Sequence, residues 1–175
     1  AAGPLCAATP ASNTAWVSAG DGCATATILT NRTELTIAPP VVAFTVSRTQ
    51  TPAGGALAPG TPATYAIVVT NTGAATITDV TVTDTVTPLL VDQANDQPAV
   101  FAAPVVTGLA PSGTRYVWSA AGLTFGPGSS YTFTITGVAG ATCPAANVSG
   151  TAYATAATAC GTAMAFSNAT SFSTT

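Results

Sequence analysis

Hydrophobic and polar residues alternate with a period of two along much of this 175-residue chain, the spacing of a strand whose two faces meet different surroundings. The pattern is most regular over residues 59–85, where Tyr65, Ile67 and Val69 alternate with Ala66, Val68 and Thr70, and Val80 and Val82 alternate with Thr81 and Thr83. Asn71-Thr72-Gly73 separates the two runs. Asn and Gly tolerate the positive φ of tight connections, so the segment predicts a β-hairpin. Further strands are predicted over residues 41–48, 115–119, 131–138 and 148–159, the last with Thr151, Tyr153 and Thr155 on one face and alanines on the other. Near the N-terminus Ile28, Leu29, Leu35 and Ile37 flank a polar Thr30-Asn31-Arg32-Thr33 break, which reads as a strand pair or one long bulged strand. Residues 51–62 are rich in proline and glycine, and residues 89–106 hold Asp92, Asn95, Asp96, Pro98 and Pro104. Both predict connections, the second with a short strand at 99–102. Met164, Phe166 and Phe172 at even spacing predict a C-terminal strand. Nothing sustains a 3.6-residue period, and the density of β-branched residues and turn formers predicts an all-β sandwich.

Pro59-Gly60 before Tyr65, Asn71-Thr72-Gly73 at the strand end, then Val80, Val82 and Asp84-Thr85 form a pattern that resembles the bacterial and archaeal cell-surface repeat called domain of unknown function eleven. Trp118, the Pro127-Gly128 turn with Tyr131, Phe133 and Ile135, and Asn147 with Thr151 match the second half of that repeat. The resemblance spans about residues 42–156 and departs from the pattern at Arg48, where the family has Lys, and at Val86-Thr87-Pro88. It implies an immunoglobulin-like Greek-key β-sandwich on the cell surface and implies no reaction. Three parts are expected: an N-terminal extension over 1–40, the sandwich over 41–160, and a C-terminal strand or tail over 161–175.

Charged residues make up 5% of the chain, against roughly 25% in ordinary globular chains. Such a polar but nearly uncharged surface supplies little repulsion between copies and favours self-association. With Arg32, Arg48 and Arg115 as the only cations and a net charge of -3, no basic patch exists for a phosphate backbone, which excludes nucleic-acid binding. The longest apolar runs fall far short of the roughly 20 residues of a membrane-spanning helix. The N-terminal Ala1, with no signal-like segment after it, predicts a mature secreted chain. Cys6, Cys23, Cys143 and Cys160 allow three pairings. Cys6 and Cys23, like Cys143 and Cys160, lie 17 residues apart with turn formers between them, so two local loops, 6–23 and 143–160, are the simplest arrangement. Disulfides imply an oxidising compartment.

The chain has no His and no Lys, which removes Ser-His-Asp, Cys-His, Schiff-base and Ser-Lys chemistry. It also removes the Lys-Asn isopeptide cross-link of many sandwich pilins. Asp79 and Asp84 are five residues apart on one strand, hence on opposite faces, so no catalytic pair is expected. Neither a cofactor nor a zinc site is predicted. Asp92, Asn95 and Asp96 are calcium candidates as loop oxygens, without the spacing of an EF-hand. Asn31, Asn147 and Asn168 each head a glycosylation sequon. Trp16, Trp118, Tyr65, Tyr116, Tyr131 and Tyr153 are available to stack on sugars, with Tyr65 and Trp118 at core positions of the family pattern. The function expected is that of an extracellular structural subunit, a filament, pilus or surface layer self-assembling by β-strand addition between copies, with the donor in residues 1–37 or 161–175. A secreted adhesin or glycan-binding module is the alternative, and no enzyme is expected.

Overall fold

The computed structural model describes residues 5–175, and the chain divides into two compact units, Ala1–Pro40 and Val41–Thr175. The first unit is a two-stranded antiparallel ribbon. Strand β1 (Thr9–Asn13) pairs with β4 (Thr33–Ile37), and β2 (Trp16–Gly20) pairs with β3 (Thr25–Leu29). Between the paired stretches, Thr30 donates its N–H to the Ala15 carbonyl at 2.8 Å. Asn31 and Arg32 then oppose the single residue Thr14, which makes a long bulged strand, one of the two readings that the polar break at 30–33 allows. The tip is closed by Asp21, whose Oδ1 accepts the N–H groups of Cys23 (3.0 Å) and Ala24 (2.9 Å).

The second unit is an immunoglobulin-like Greek-key β-sandwich. Its strands are β5 (Phe44–Thr51), β6 (Ala56–Leu57), β7 (Pro62–Asn71), β8 (Asp79–Val86), β9 (Leu90–Asp96), β10 (Val105–Leu109), β11 (Gly113–Ala120), β12 (Ser130–Ala139), β13 (Asn147–Gly150), β14 (Ala152–Thr158), β15 (Gly161–Phe166) and β16 (Thr170–Thr174). One sheet has the order β5-β7-β12-β9, the other β10-β11-β8-β14-β15, and β13, β16 and β6 make a small third sheet. The alternation predicted over residues 59–85 is present, but β7 and β8 do not form a hairpin. Each is a central strand of a different sheet, β7 between β5 and β12 and β8 between β11 and β14. Residues 72–78 therefore cross from one sheet to the other.

Asn71 fixes that crossing. Fully buried, its Nδ2 donates to the carbonyls of Ala75 and Phe125, both at 2.8 Å, and its Oδ1 accepts the Gly73 N–H at 3.0 Å. Gly73 is required for close approach and not for a positive φ, since a Cβ there would stand 2.5 Å from the Val41 carbonyl oxygen and 2.7 Å from the Ala43 nitrogen.

The core lies between the two large sheets. Ile67, Val69, Phe133 and Ile135 from one face Val80, Val82, Val86 and Trp118 from the other, all buried. A string of six rings crosses it, running Phe125, Tyr131, Phe101, Phe133, Trp118, Tyr116 with centroids 4.5 to 5.7 Å apart, spacings worth about 0.5–1.5 kcal/mol per pair beyond burial. On β14 the small faces of Ala152, Ala154 and Ala156 point inward, as the alternation there predicts. Residues 161–175 are no tail. They supply β15 and β16, and Phe172 of β16 joins the core. Residues 89–106, expected to be connection with a short strand at 99–102, instead supply β9 and β10, and 99–102 form a turn from which Phe101 packs into the core.

Candidate functional site

Two features of the molecule are unusual enough to carry function: the exposed apolar ribbon of the first unit and a buried ionic clamp in the second. In the ribbon, every residue of β2, β3 and β4 is exposed. Cross-strand partners share a face. Val17 stands beside Ile28 on one face, and Trp16 beside Leu29 on the other, with Trp16 69% and Ile28 72% accessible. Leu35 and Ile37 are exposed further down. Charge is confined to the Asp21 cap and to an Arg32–Glu34 ion pair of 2.9 Å. The two N–H donors at the cap hold the Asp21 carboxyl below its ordinary value.

The clamp is built on the inward face of β5, where Phe44, Val46, Arg48 and Gln50 alternate with exposed residues. Arg48 donates from Nε to Asp84 Oδ2 at 3.1 Å, and both side chains are essentially inaccessible. Asp84 belongs to β8 in the opposite sheet, so the pair bolts the two layers together. The guanidinium also donates to Thr170 Oγ1 and to the Gly150 carbonyl, and lies over the Tyr65 ring, 3.8 Å from its centroid. Desolvation raises the Asp84 carboxyl above its ordinary value and Arg48 offsets this only in part. Among the described residues Asp84 Oδ1 has no hydrogen-bond partner. Beside the clamp, the Asn168 amide takes both backbone groups of Arg48, accepting its N–H at 3.1 Å and donating to its carbonyl at 2.8 Å. Asn168 thus occupies the outer edge of β5 like a one-residue strand.

The five-stranded sheet carries an apolar row across its outer face. The registers align Val105 with Val117, Val117 with Thr83, Thr83 with Tyr153, and Tyr153 with Phe166. Phe166 is 67% accessible and meets the Tyr153 ring at 5.8 Å.

Several expected sites are rearranged. Neither cysteine loop closes: Cys6 and Cys160 are disulfide-bonded, whereas Cys23 and Cys143 are free and exposed. The reason is extension. Cys23 sits at the ribbon's tip and Cys6 beyond its open end, separated by β1 and β2, which at about 3.3 Å per residue exceeds by far the roughly 7 Å between Cα atoms that a disulfide spans. Strands β13 and β14 likewise fill the interval from Cys143 to Cys160. The calcium candidates Asp92, Asn95 and Asp96 lie on strand β9 and not in a loop. Neighbouring Asn95 and Asp96 pair with Ile135 and Thr134, so they address opposite faces of the sheet and cannot converge on one ion. Among the described residues no group of three His, Cys, Asp or Glu is placed to hold a metal. Asn31, Asn147 and Asn168 are all exposed, Asn31 in the ribbon's bulge and Asn168 with its amide engaged on β5. Tyr65 and Trp118 are core residues, whereas Trp16 is freely accessible.

Arg48 and Asp84 are a pair that the sequence does not predict by carboxylate spacing. The signal was present: Asp84 is in phase with buried Val80, Val82 and Val86, and Arg48 with Phe44 and Val46.

No family model and no curated protein matches the sequence. Solved structures do resemble it in fold. The major pilin subunit BcpA of Bacillus cereus superposes with a TM-score of 0.60 at 14% identity, covering 93% of this chain and 48% of the pilin, and a variant of the same pilin gives 0.55 at 11% over the same shares. The full-length major pilin SpaD of Corynebacterium diphtheriae gives 0.51 at 11% identity, over 83% of this chain and 44% of that one. The chain therefore spans about half the length of the pilins whose fold it is similar to.

Proposed function

We propose that the chain is a structural subunit of an extracellular filament, pilus or surface layer, linked by β-strand addition of its N-terminal ribbon to a neighbouring copy. The observation that carries this is the ribbon itself. Two strands alone are marginal in water, yet these two expose Trp16, Val17, Ile28, Leu29 and Leu35 with no core of their own. Each such side chain gains about 1.5–3 kcal/mol on burial, which a partner surface supplies. A ribbon on one copy meeting a sandwich on the next is a heterologous contact, and such contacts propagate into open fibres. Membership of the surface-repeat family, an extracellular setting and a non-enzymatic role belong to the same proposal. The disulfide-bonded Cys6 and Cys160, the low charge and the pilin-like sandwich support it. In sedimentation velocity the full chain is expected to shift to larger species as concentration rises, and Val17→Lys/Ile28→Lys to remain monomeric. A full chain that stays monomeric at every concentration overturns the proposal.

A second reading, a glycan-binding surface module, is favoured by one observation, the accessible Trp16 ring. Binding on a glycan array that Trp16→Ala abolishes, from a protein that does not polymerise, would select it.

A further inference from the structure

The two large sheets of the sandwich have four edges, β5, β9, β10 and β15, and three of them are guarded. On β5 the Asn168 amide occupies the N–H and carbonyl of Arg48. Strand β9 carries Asp92 and Asp96, with Asp92 at a positive φ of 52° where its register against β12 shifts, and charge and bulges are the devices that blunt an edge. Strand β15 lies against β5 across the side of the sandwich. The fourth edge, β10, has none of these. Its five residues, Val-Val-Thr-Gly-Leu, contain no charge and no proline, pair with β11 in unbroken register, and leave Val105 68% and Val106 51% accessible. The apolar row on the sheet's outer face also ends there, at Val105. An uncharged edge of this kind is a template for another strand.

The first unit holds a strand of matching character. Of the ribbon's four strands, β1 contains Pro10, which lacks an N–H, β4 contains Glu34, and β2 ends in Ala19-Gly20. Strand β3, Thr-Ala-Thr-Ile-Leu, is uncharged, rich in β-branched residues and as long as β10. We propose that β10 is the acceptor edge and that β3 of a second copy adds to it, extending the five-stranded sheet by the two strands of the ribbon. Val17 and Ile28, or Trp16 and Leu29, then continue the row that stops at Val105. This rests on the filament reading and names its joint.

The test uses full-length chains with one partner of the joint disabled. Val105→Lys/Val106→Lys charges the acceptor edge, and Ile28→Lys/Leu29→Lys charges the donor. Both sets of side chains are accessible, and an unchanged near-UV circular dichroism spectrum checks that each variant is folded. In sedimentation velocity the unsubstituted chain should polymerise and each variant alone should be monomeric. An equimolar mixture of the two should stop at dimers, because one intact donor meets one intact acceptor. If the unsubstituted chain polymerises and the Val105→Lys/Val106→Lys chain does too, the acceptor assignment is wrong and the filament reading stands. If the Ile28→Lys/Leu29→Lys chain dimerises by itself, β10 pairs with something other than β3. An unsubstituted chain that stays monomeric overturns both.

Discussion

The ribbon of residues 5–40 and the sandwich of Val41–Thr175 use the same residue types to opposite ends. In the sandwich, alternation sends Ile67, Val69, Val80, Val82, Phe133 and Ile135 into a shared interior. In the ribbon the same alternation places Val17 beside Ile28 and Trp16 beside Leu29, all four exposed. A period of two thus tells which side chains share a face, and says nothing about whether that face is covered. Coverage needs a second layer, and within its own unit the ribbon has none. The difference separates residues that hold the chain together from residues that the chain offers to others.

The sharpest way to break this comparison is one truncation made in each region. Phe133→Ala is expected to cost the sandwich about 3–5 kcal/mol, the range for emptying a buried aromatic site, and Trp16→Ala no more than about 0.5 kcal/mol, as for an exposed surface change. Chemical denaturation of both variants measures it, and equal losses would erase the distinction. Breaking the clamp should come close to the larger figure. Arg48→Met strands the buried Asp84 carboxylate, and loss of one partner of a buried pair costs about 3–5 kcal/mol. Adding Asp84→Leu should restore part of it in a double-mutant cycle. Asn71→Ala, which removes the side-chain donor of the Ala75 carbonyl and leaves the Phe125 carbonyl with the Ile77 N–H alone, should cost about 2–3 kcal/mol.

The smallest effect is on pH dependence, where the two regions have opposite signs. Burial raises the folded Asp84 carboxyl above its ordinary 3.8. Its contribution is therefore fully present below 3.8 and lost as pH rises through the raised value, so mild acid should stabilise the sandwich. Asp21 at the ribbon tip is held below 3.8 by backbone N–H groups, so its contribution is present above that value and lost as pH falls through the depressed one. Thermal unfolding of the sandwich, followed by near-UV circular dichroism between neutral pH and pH 4, should show a rising midpoint that Asp84→Asn flattens. A midpoint that falls with acid contradicts the assignment.

Much of the sandwich was legible because its strands are long and strictly alternating. The alternation of Tyr65, Ile67 and Val69 and the alanine face of β14 follow from the period, while the core place of Trp118 is one that the resemblance to the surface repeat implies. Pairing was less legible. Strands β7 and β8 look like a hairpin because Asn71-Thr72-Gly73 reads as a tight turn, yet a short connection serves a crossing between layers as well as a turn within one, and what decides is the buried Asn71 amide. Strand β9 was hidden because its Asp92, Asn95 and Asp96 mimic a loop, as guarded edge strands do. The cysteine spacing misled because equal intervals suggest loops, while both intervals fold as extended strands. The ribbon's bulge was visible in Thr30-Asn31-Arg32-Thr33. Its exposure was not, since apolar strands usually signal a core.

The central claim is that this exposed ribbon joins copies into a polymer. Negative-stain microscopy of the concentrated full chain beside Val17→Lys/Ile28→Lys tests it most directly. Fibres from the first and none from the second are predicted. Dispersed particles from both, or identical fibres from both, would contradict it.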